Sequence, residues 1–167
     1  MGLFFANVRN NLYFCKTLQT KKHIMNEENI KQNSWKAWLL AVRPKTLTGA
    51  AVPVMIGSAL AYVDAQAYGD DVFNWLSASL CLLFALVMQI DANLINDFFD
   101  YAHGNDDSAT RLGPLRACTQ GWVSLDAMKR AIALTTCVAC VVGLPLIIFG
   151  GLEMILVGIC CVAFCFL

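Results

Sequence analysis

Apolar stretches alternate with short polar stretches along this chain. Four apolar stretches without a charged residue stand out, at residues 46–63, 72–90, 131–150 and 154–167. A helix needs about 20 apolar residues to cross a bilayer, so the first three are long enough and the fourth is shorter than a span. The pattern predicts an all-α fold, a polytopic transmembrane helical bundle with about four spans, the last of them truncated.

Composition supports a membrane protein. Of the 167 residues, 58% are hydrophobic and 14% are charged, whereas soluble domains average about 45–50% and about 25%. This excludes disorder and argues against an ordinary soluble globule. Twelve Lys and Arg balance twelve Asp and Glu, so no global charge indicates a nucleic acid partner. Most of the eight cysteines lie in or near apolar segments, where thiols behave as small hydrophobic groups.

Two prolines interrupt the apolar segments, Pro53 in the first and Pro145 in the third. In a soluble helix each would break the hydrogen-bond ladder. In a membrane bundle, neighbouring helices and local adjustments can satisfy the freed backbone groups. We therefore predict that both segments remain spanning helices.

The basic residues predict the orientation of the chain. Residues 1–45 contain eight Lys and Arg, the 64–71 loop none, the 96–130 loop four and the 151–153 turn none. Cytoplasmic loops carry the excess of Lys and Arg. We therefore expect a multi-pass protein of the cell inner (plasma) membrane, with the N-terminus and the 96–130 loop in the cytoplasm.

The two ends of the sequence differ from the apolar centre. We expect residues 1–33 to be a disordered cytoplasmic tail and residues 34–167 to form the transmembrane domain. Residues 1–24 could reflect the choice of start site, because Met25 begins a more typical polar start. The chain ends inside an apolar run without a polar flank, which predicts a truncation within a helix and a longer parent protein.

A polar stripe follows the second apolar segment. At about 100° per residue, five polar side chains share one helix face: Gln89, Asn93, Asn96, Asp97 and Asp100. Asp91 lies on the far side and has no assigned role. Acidic residues at membrane depth tend to face a bundle interior or cavity. A helix end entering water would explain the aspartates, but it explains the clustered amides poorly.

The aspartates have the spacing of a cation site. Asp97 and Asp100 are three residues apart on one helix face, and Asp106 and Asp107 follow after Gly104. Mg²⁺ usually takes one or two carboxylates together with substrate phosphates. The sequence therefore predicts a magnesium site, with the choice between Asp106 and Asp107 left open.

Basic residues near this stripe could bind phosphate. Arg111 and Arg116 flank a Gly-Pro turn, and the planar guanidinium of arginine matches phosphate oxygens. Lys45 lies at the cytoplasmic start of the first apolar segment, on the same predicted side of the membrane. Positive-inside topology and contact with lipid headgroups are the competing explanations. Ser124 is predicted to cap the helix of the third segment.

These motifs, in this order, resemble those of a known family. The Asn96-Asp-Phe-Phe-Asp100 run, Gly104-Asn-Asp106 and Arg111-x-Gly-Pro-Leu-Arg116 resemble the first aspartate-rich motif of UbiA-type membrane prenyltransferases. With Arg43-Pro-Lys-Thr-Leu47, the chain most resembles the branch that prenylates 1,4-dihydroxy-2-naphthoate in menaquinone biosynthesis. The resemblance extends from about residue 35 to the end.

The resemblance implies a fold of about nine helices, of which this chain would be the N-terminal part. It implies transfer of a polyprenyl group from polyprenyl diphosphate to an aromatic ring, with Mg²⁺ as cofactor and membrane lipid as surroundings. The implied metal ligands are Asp97, Asp100 and Asp106, with Asn96 in support. The implied diphosphate contacts are Asn93, Arg111, Arg116 and Lys45. The family's second aspartate-rich motif is absent from these residues, so we expect the chain alone to be inactive.

Three alternatives remain open at this stage. One is a related enzyme such as a 4-hydroxybenzoate polyprenyltransferase or haem O synthase. Another is a fragment of a cation-coupled transporter, although transporters place polar residues near the midplane of several spans and the acids here cluster at one membrane end. The third is a non-catalytic remnant.

Overall fold

The computed structural model describes residues 30–67, 73–104 and 116–166. These residues form helices and connecting turns without a strand, which confirms the all-α prediction for the described part of the chain. The five helices are α1 (Trp35–Val42), α2 (Pro44–Ala67), α3 (Trp75–Ala102), α4 (Leu125–Gly150) and α5 (Glu153–Phe166).

Three helices are long and apolar enough to cross a membrane, namely α2, α3 and α4 with 24, 28 and 26 residues. The fourth predicted segment is the 14-residue helix α5, which is shorter than a span. No residue of α2 is buried within the chain, and many large apolar side chains on α4 and α5 are exposed. Such surfaces suit lipid contact, and the chain is a multi-pass membrane protein.

Both internal prolines lie in continuous helices, as predicted. Pro53 is inside α2 and Pro145 is inside α4. A third proline has a different effect. Pro44 is the first residue of α2, and Arg43 before it adopts a left-handed conformation with φ 53°. Because proline disfavours helical geometry in the residue before it, α1 ends at Val42 and α2 begins at Pro44.

Helix α3 is the centre of the described structure, since it packs against each of the other four helices. Its contact with α4 is close: a methyl group built on Gly143 would lie 3.2 Å from the Phe84 ring. Asp91 also faces α4. It is 1% exposed, and both its oxygens accept hydrogen bonds from hydroxyl groups, those of Thr135 and Thr136. The aspartate without a predicted role thus links two helices.

A short segment, residues 116–124, leads into α4. The chain makes one turn at 116–120, which is closed by the Gln120 N–H donating to the Arg116 carbonyl at 3.0 Å. The Trp122 N–H then donates to the Ala117 carbonyl at 2.9 Å. Ser124 occupies the predicted N-cap position, but its side chain makes no capping hydrogen bond. Asn33 binds this segment instead. Its backbone N–H donates to the Trp122 carbonyl at 2.7 Å, and its side-chain oxygen accepts from the Ser124 N–H at 3.1 Å.

Candidate functional site

The predicted polar stripe lies on the C-terminal half of α3, and its members have different surroundings. Asn93 and Asp97 are buried, Asn96 is exposed, and Asp100 is intermediate. The Gln89 amide donates to the Asn93 side-chain oxygen at 3.3 Å. The stripe is therefore not one uniform solvated helix end, since two of its polar side chains are enclosed by protein.

Asn93 binds the junction between α1 and α2. Its side-chain amide donates to the Val42 carbonyl and to the Thr46 hydroxyl, each at 2.8 Å. The Thr46 hydroxyl lies 2.9 Å from the Arg43 carbonyl, to which it donates. These bonds satisfy carbonyl groups near the end of α1, where helical partners are missing. They also place the first turn of α2, with its exposed Lys45, beside the polar half of α3.

Asp97 binds the start of the 116–124 segment. One carboxylate oxygen accepts the Ala117 N–H at 2.9 Å, and the other accepts the Cys118 N–H at 3.1 Å. Its side chain lies among protein atoms, and the residue is only 1% exposed. Both oxygens of this predicted metal ligand are thus engaged with backbone.

Asp100 and Arg116 form an ion pair, in which a guanidinium nitrogen of Arg116 contacts a carboxylate oxygen of Asp100. The Asp100 side chain is 31% exposed and that of Arg116 is 10% exposed. The structure thereby joins a predicted cation ligand with a predicted diphosphate contact. The Asp100 carboxylate is the more open of the two motif carboxylates that the structure describes.

Several predicted site residues lie outside the described residues. These are Asp106, the alternative Asp107, and Arg111. Among the described residues, no group of three His, Cys, Asp or Glu side chains is placed to hold a metal ion. The predicted three-aspartate site includes Asp106, so it stays a prediction.

Aromatic and basic side chains surround the end of α3. The rings of Phe98 and Phe99 are 5.7 Å apart, and the Lys129 ammonium lies 5.7 Å from the centre of the Phe98 ring. His103 is exposed at the C-cap of α3 and stacks on Phe99. One face of Phe98 therefore already has a cation beside it.

Two contributors to this site have no recognisable signal in the sequence. Asn33 holds the 116–124 segment, and Cys118 packs beside Asp97. Burial raises the pKa of the Cys118 thiol to about 12, and the nearby Asp97 carboxylate adds to the shift. The aspartate motif itself gave no sign of these partners, because they come from segments distant in sequence.

Comparison with known proteins gives relatives over most of the chain. No family model matches it, and no solved structure matches it. It is 37% identical over 145 residues to a 1,4-dihydroxy-2-naphthoate octaprenyltransferase of Escherichia coli, covering 78% of this chain and 44% of that protein. The Haemophilus influenzae protein of the same name is 36% identical over 110 residues, covering 66% of this chain and 34% of that protein.

A eukaryotic relative has a name that states the family. A UbiA prenyltransferase domain-containing protein 1 of Dictyostelium discoideum is 29% identical over 91 residues, covering 54% of this chain and 26% of that protein. The chain thus spans less than half the length of these relatives. Its spanning helices and these similarities agree with the motif between Asn96 and Arg116, and the chain belongs to the UbiA-type prenyltransferase family.

Proposed function

We propose that the protein transfers a polyprenyl group from polyprenyl diphosphate to 1,4-dihydroxy-2-naphthoate and releases diphosphate, a step of menaquinone biosynthesis. Two named relatives support the acceptor and the prenyl donor. The observation that bears most on the chemistry is the Asp100–Arg116 pair at the end of a spanning helix. Because the chain spans less than half of each relative, the proposal concerns the whole protein.

The reaction requires stabilisation of charge on a leaving group. The allylic carbon–oxygen bond breaks, and its electron pair leaves with the diphosphate. The allylic carbon then bonds to a ring carbon of the acceptor, which releases the group it carried, either a proton or the carboxylate as carbon dioxide. Arg116 can donate parallel hydrogen bonds to phosphate oxygens through its planar guanidinium, and Asp100 holds that guanidinium at the end of α3. Lys45 is exposed on the first turn of α2 and adds positive charge on the same side. Fixed charges of this kind are usually a large part of catalysis.

We propose that a divalent cation binds at this end of α3, at Asp100. When bound, Mg²⁺ would neutralise charge on the diphosphate. The Asp100 carboxylate is partly exposed beside the Arg116 guanidinium, and Asn96 is exposed one turn earlier. We propose that Asp106 completes the ligand set. The resemblance also implies Asp97, whose two oxygens accept backbone N–H groups.

The polyprenyl tail and the acceptor would approach from the membrane. An apolar groove of about 610 Å³ lies between α3 and α5 and reaches Gln89, one helical turn from Asn93. Its lining includes Met88, Leu156 and Phe164. We propose that the prenyl tail extends along such apolar surface while the diphosphate meets the polar end of α3.

Activity can be tested in membranes with a chimera, in which residues 35–167 replace the matching segment of the Escherichia coli relative. We expect prenylated product from 1,4-dihydroxy-2-naphthoate, polyprenyl diphosphate and Mg²⁺, and none after chelation with EDTA. Asp100→Asn should abolish product formation. The matched control is Asp126→Asn, an exposed aspartate on the first turn of α4, which should retain activity.

Further measurements distinguish the proposed function from the alternative functions. Preference of the chimera for 4-hydroxybenzoate would indicate the other acceptor class, and full activity of Asp100→Asn would refute the proposed site. The chain of 167 residues assayed alone should give no product, because it lacks the second aspartate-rich motif that the resemblance implies. Cation-dependent transport without prenyl transfer would support the transporter alternative.

A further inference from the structure

Asp97 has the surroundings of a structural group, although the motif suggests a metal ligand. We propose that Asp97 is a positioning residue, which holds the turn beginning at Arg116 and so directs the Arg116 guanidinium to Asp100. This inference rests on the proposed function for its catalytic meaning. Its structural part, the hold of Asp97 on the turn, can be tested without any activity.

The hydrogen bonds of the turn support this role. The Gln120 N–H donates to the Arg116 carbonyl at 3.0 Å, and the Gly121 N–H donates to the Cys118 carbonyl at 3.0 Å. Residues 116–120 therefore form a single helical turn, whose first N–H groups have no partner within the turn. Asp97 accepts two of them, from Ala117 and Cys118, as a capping carboxylate does at a helix start.

The position of Arg116 follows from this anchor. The residue lies directly before the two amides that Asp97 binds, and its side chain pairs with Asp100, one turn further along α3. Asp97 thus binds the backbone of the 116–124 segment, and Asp100 binds the Arg116 side chain of the same segment. Loss of the Asp97 bonds would free the backbone at Arg116 and lower the fraction of molecules with the guanidinium at Asp100.

The burial of Asp97 argues against direct coordination. Mg²⁺ dehydrates reluctantly and usually keeps several waters, whereas Asp97 is 1% exposed. Binding a hydrated ion there would require the turn to separate from α3. The side chain of Asp100 is 31% exposed, so an ion can reach it without that separation.

Cys118 offers a direct reporter for the turn. It is 4% exposed, and its own N–H is one of the two bonded to Asp97. Asp97→Asn would place an NH₂ group where one of the oxygens now accepts an N–H. One bond would be lost and two donors would face each other, so the turn should open and expose the thiol.

The experiment uses the full chain in membranes with Cys118 as its single cysteine. We expect a small permeable maleimide to react at least tenfold faster with Asp97→Asn than with the unsubstituted chain, both with Mg²⁺ and with EDTA. Asp100→Asn should stay within about twofold of the unsubstituted chain. If the thiol remains protected in Asp97→Asn, or if Mg²⁺ alone determines its protection, the proposal is wrong.

A second variant keeps the carboxylate and removes its partner. Ala117→Pro lacks the N–H that donates to Asp97, so it should also expose Cys118. Global unfolding is excluded by a separate reporter in a chain with no other cysteine, Ala139→Cys, at a position of α4 that is 0% exposed, which should stay protected in both variants. Protection of Cys118 in a folded Ala117→Pro chain would overturn the proposal.

The catalytic consequence is measured in the chimera. Asp97→Asn and Ala117→Pro should lower the rate of product formation at least tenfold at every Mg²⁺ concentration. Asp100→Glu, which keeps a carboxylate at this position, should instead retain activity that requires more Mg²⁺. If Mg²⁺ restores Asp97→Asn, Asp97 is a ligand. If the chimera is inactive with all motif residues intact, the proposed function fails while the labelling result still stands.

Discussion

Three aspartates within ten residues of α3 have three kinds of partner. Asp91 accepts from threonine hydroxyls, Asp97 from backbone N–H groups, and Asp100 from a guanidinium. The two buried carboxylates each have two short-range donors, as is expected where an unpaired buried charge would be costly. The partly exposed Asp100 needs fewer fixed partners, since water reaches it. Burial thus separates Asp91 and Asp97, which the protein encloses, from the partly exposed Asp100.

The pKa of Cys118 leads to a prediction on its reactivity. Burial raises this pKa from 9.0 to about 12, with Asp97 contributing. Thiol alkylation proceeds through the thiolate, so at pH 8 we expect iodoacetamide to modify Cys118 about 100-fold or more slowly than the same thiol in chain unfolded by detergent. The comparison is made by mass spectrometry on the chain with Cys118 as its single cysteine. Equal rates would contradict the buried placement.

The same shift has a defined effect on stability. Below pH 9 the thiol is neutral in both the folded and the unfolded chain, and its contribution to stability is fully present. As the pH rises through 9 toward 12, the unfolded chain ionises first, so that contribution is lost. The free energy of unfolding should therefore fall over this range, and Cys118→Ala should reduce the fall.

At the scale of elements, the sequence predicted helices well and their ends less well. Apolar length defined the centres of α2, α3 and α4, because lipid requires helical segments of that length. The five polar side chains that share one helix face indicated that the helix continues beyond the apolar segment, and α3 does continue to Ala102. The break at Arg43 and the turn at 116–120 depend on Asn93, Asp97 and Asn33 from distant segments. Periodicity contains no information on such partners.

The contact of Asp91 with α4 predicts an asymmetry between two sets of substitutions. Removing the carboxylate with Asp91→Ala leaves Thr135 within 3.0 Å of the Ala131 and Ile132 carbonyls, so its hydroxyl keeps an acceptor. We expect a cost of about 1 kcal/mol, as for other hydrogen bonds between membrane helices. Replacing both hydroxyls, with Thr135→Val and Thr136→Val together, leaves the buried carboxylate without these donors and should cost about 2–3 kcal/mol.

Unfolding of the chain in mixed micelles with increasing SDS measures both effects. The matched control is Thr48→Val, at an exposed position of α2 where the hydroxyl donates to the Lys45 carbonyl. The control should change stability by less than either substitution at the α3–α4 contact. A larger cost for Asp91→Ala than for the double valine variant would contradict this account of the contact.

At the largest scale, side-chain hydrogen bonds within residues 32–166 join the segments at one end of the bundle. Asn93 joins α3 to the start of α2, Asp97 joins α3 to the segment before α4, and Asn33 joins that segment to the residues before α1. The described Lys and Arg residues between Lys36 and Arg130 therefore lie at this end. The number of Lys and Arg in each loop predicted this arrangement. The segments before α2 and after α3 are the two ends of a helical hairpin, so they lie on the same side of the membrane, and both are basic.

The opposite end of the bundle has a different composition. Tyr62, Phe73 and Trp75 form an aromatic cluster there, with ring centres 4.8–5.9 Å apart. Tyrosine and tryptophan are enriched at membrane–water interfaces, and the predicted loop between these residues contains no Lys or Arg. The two ends thus differ in both charge and aromatic content, as a fixed orientation in the membrane requires.

This difference predicts which end faces the cytoplasm. In a cysteine-free chain, His103→Cys marks the basic end and Ala67→Cys marks the aromatic end. Because Lys and Arg are retained on the cytoplasmic side, a membrane-impermeant maleimide added to intact spheroplasts should label Ala67→Cys and not His103→Cys. Inverted vesicles should give the reverse pattern. Labelling of His103→Cys in spheroplasts would place the Asp100–Arg116 pair outside the cell and would contradict the predicted orientation.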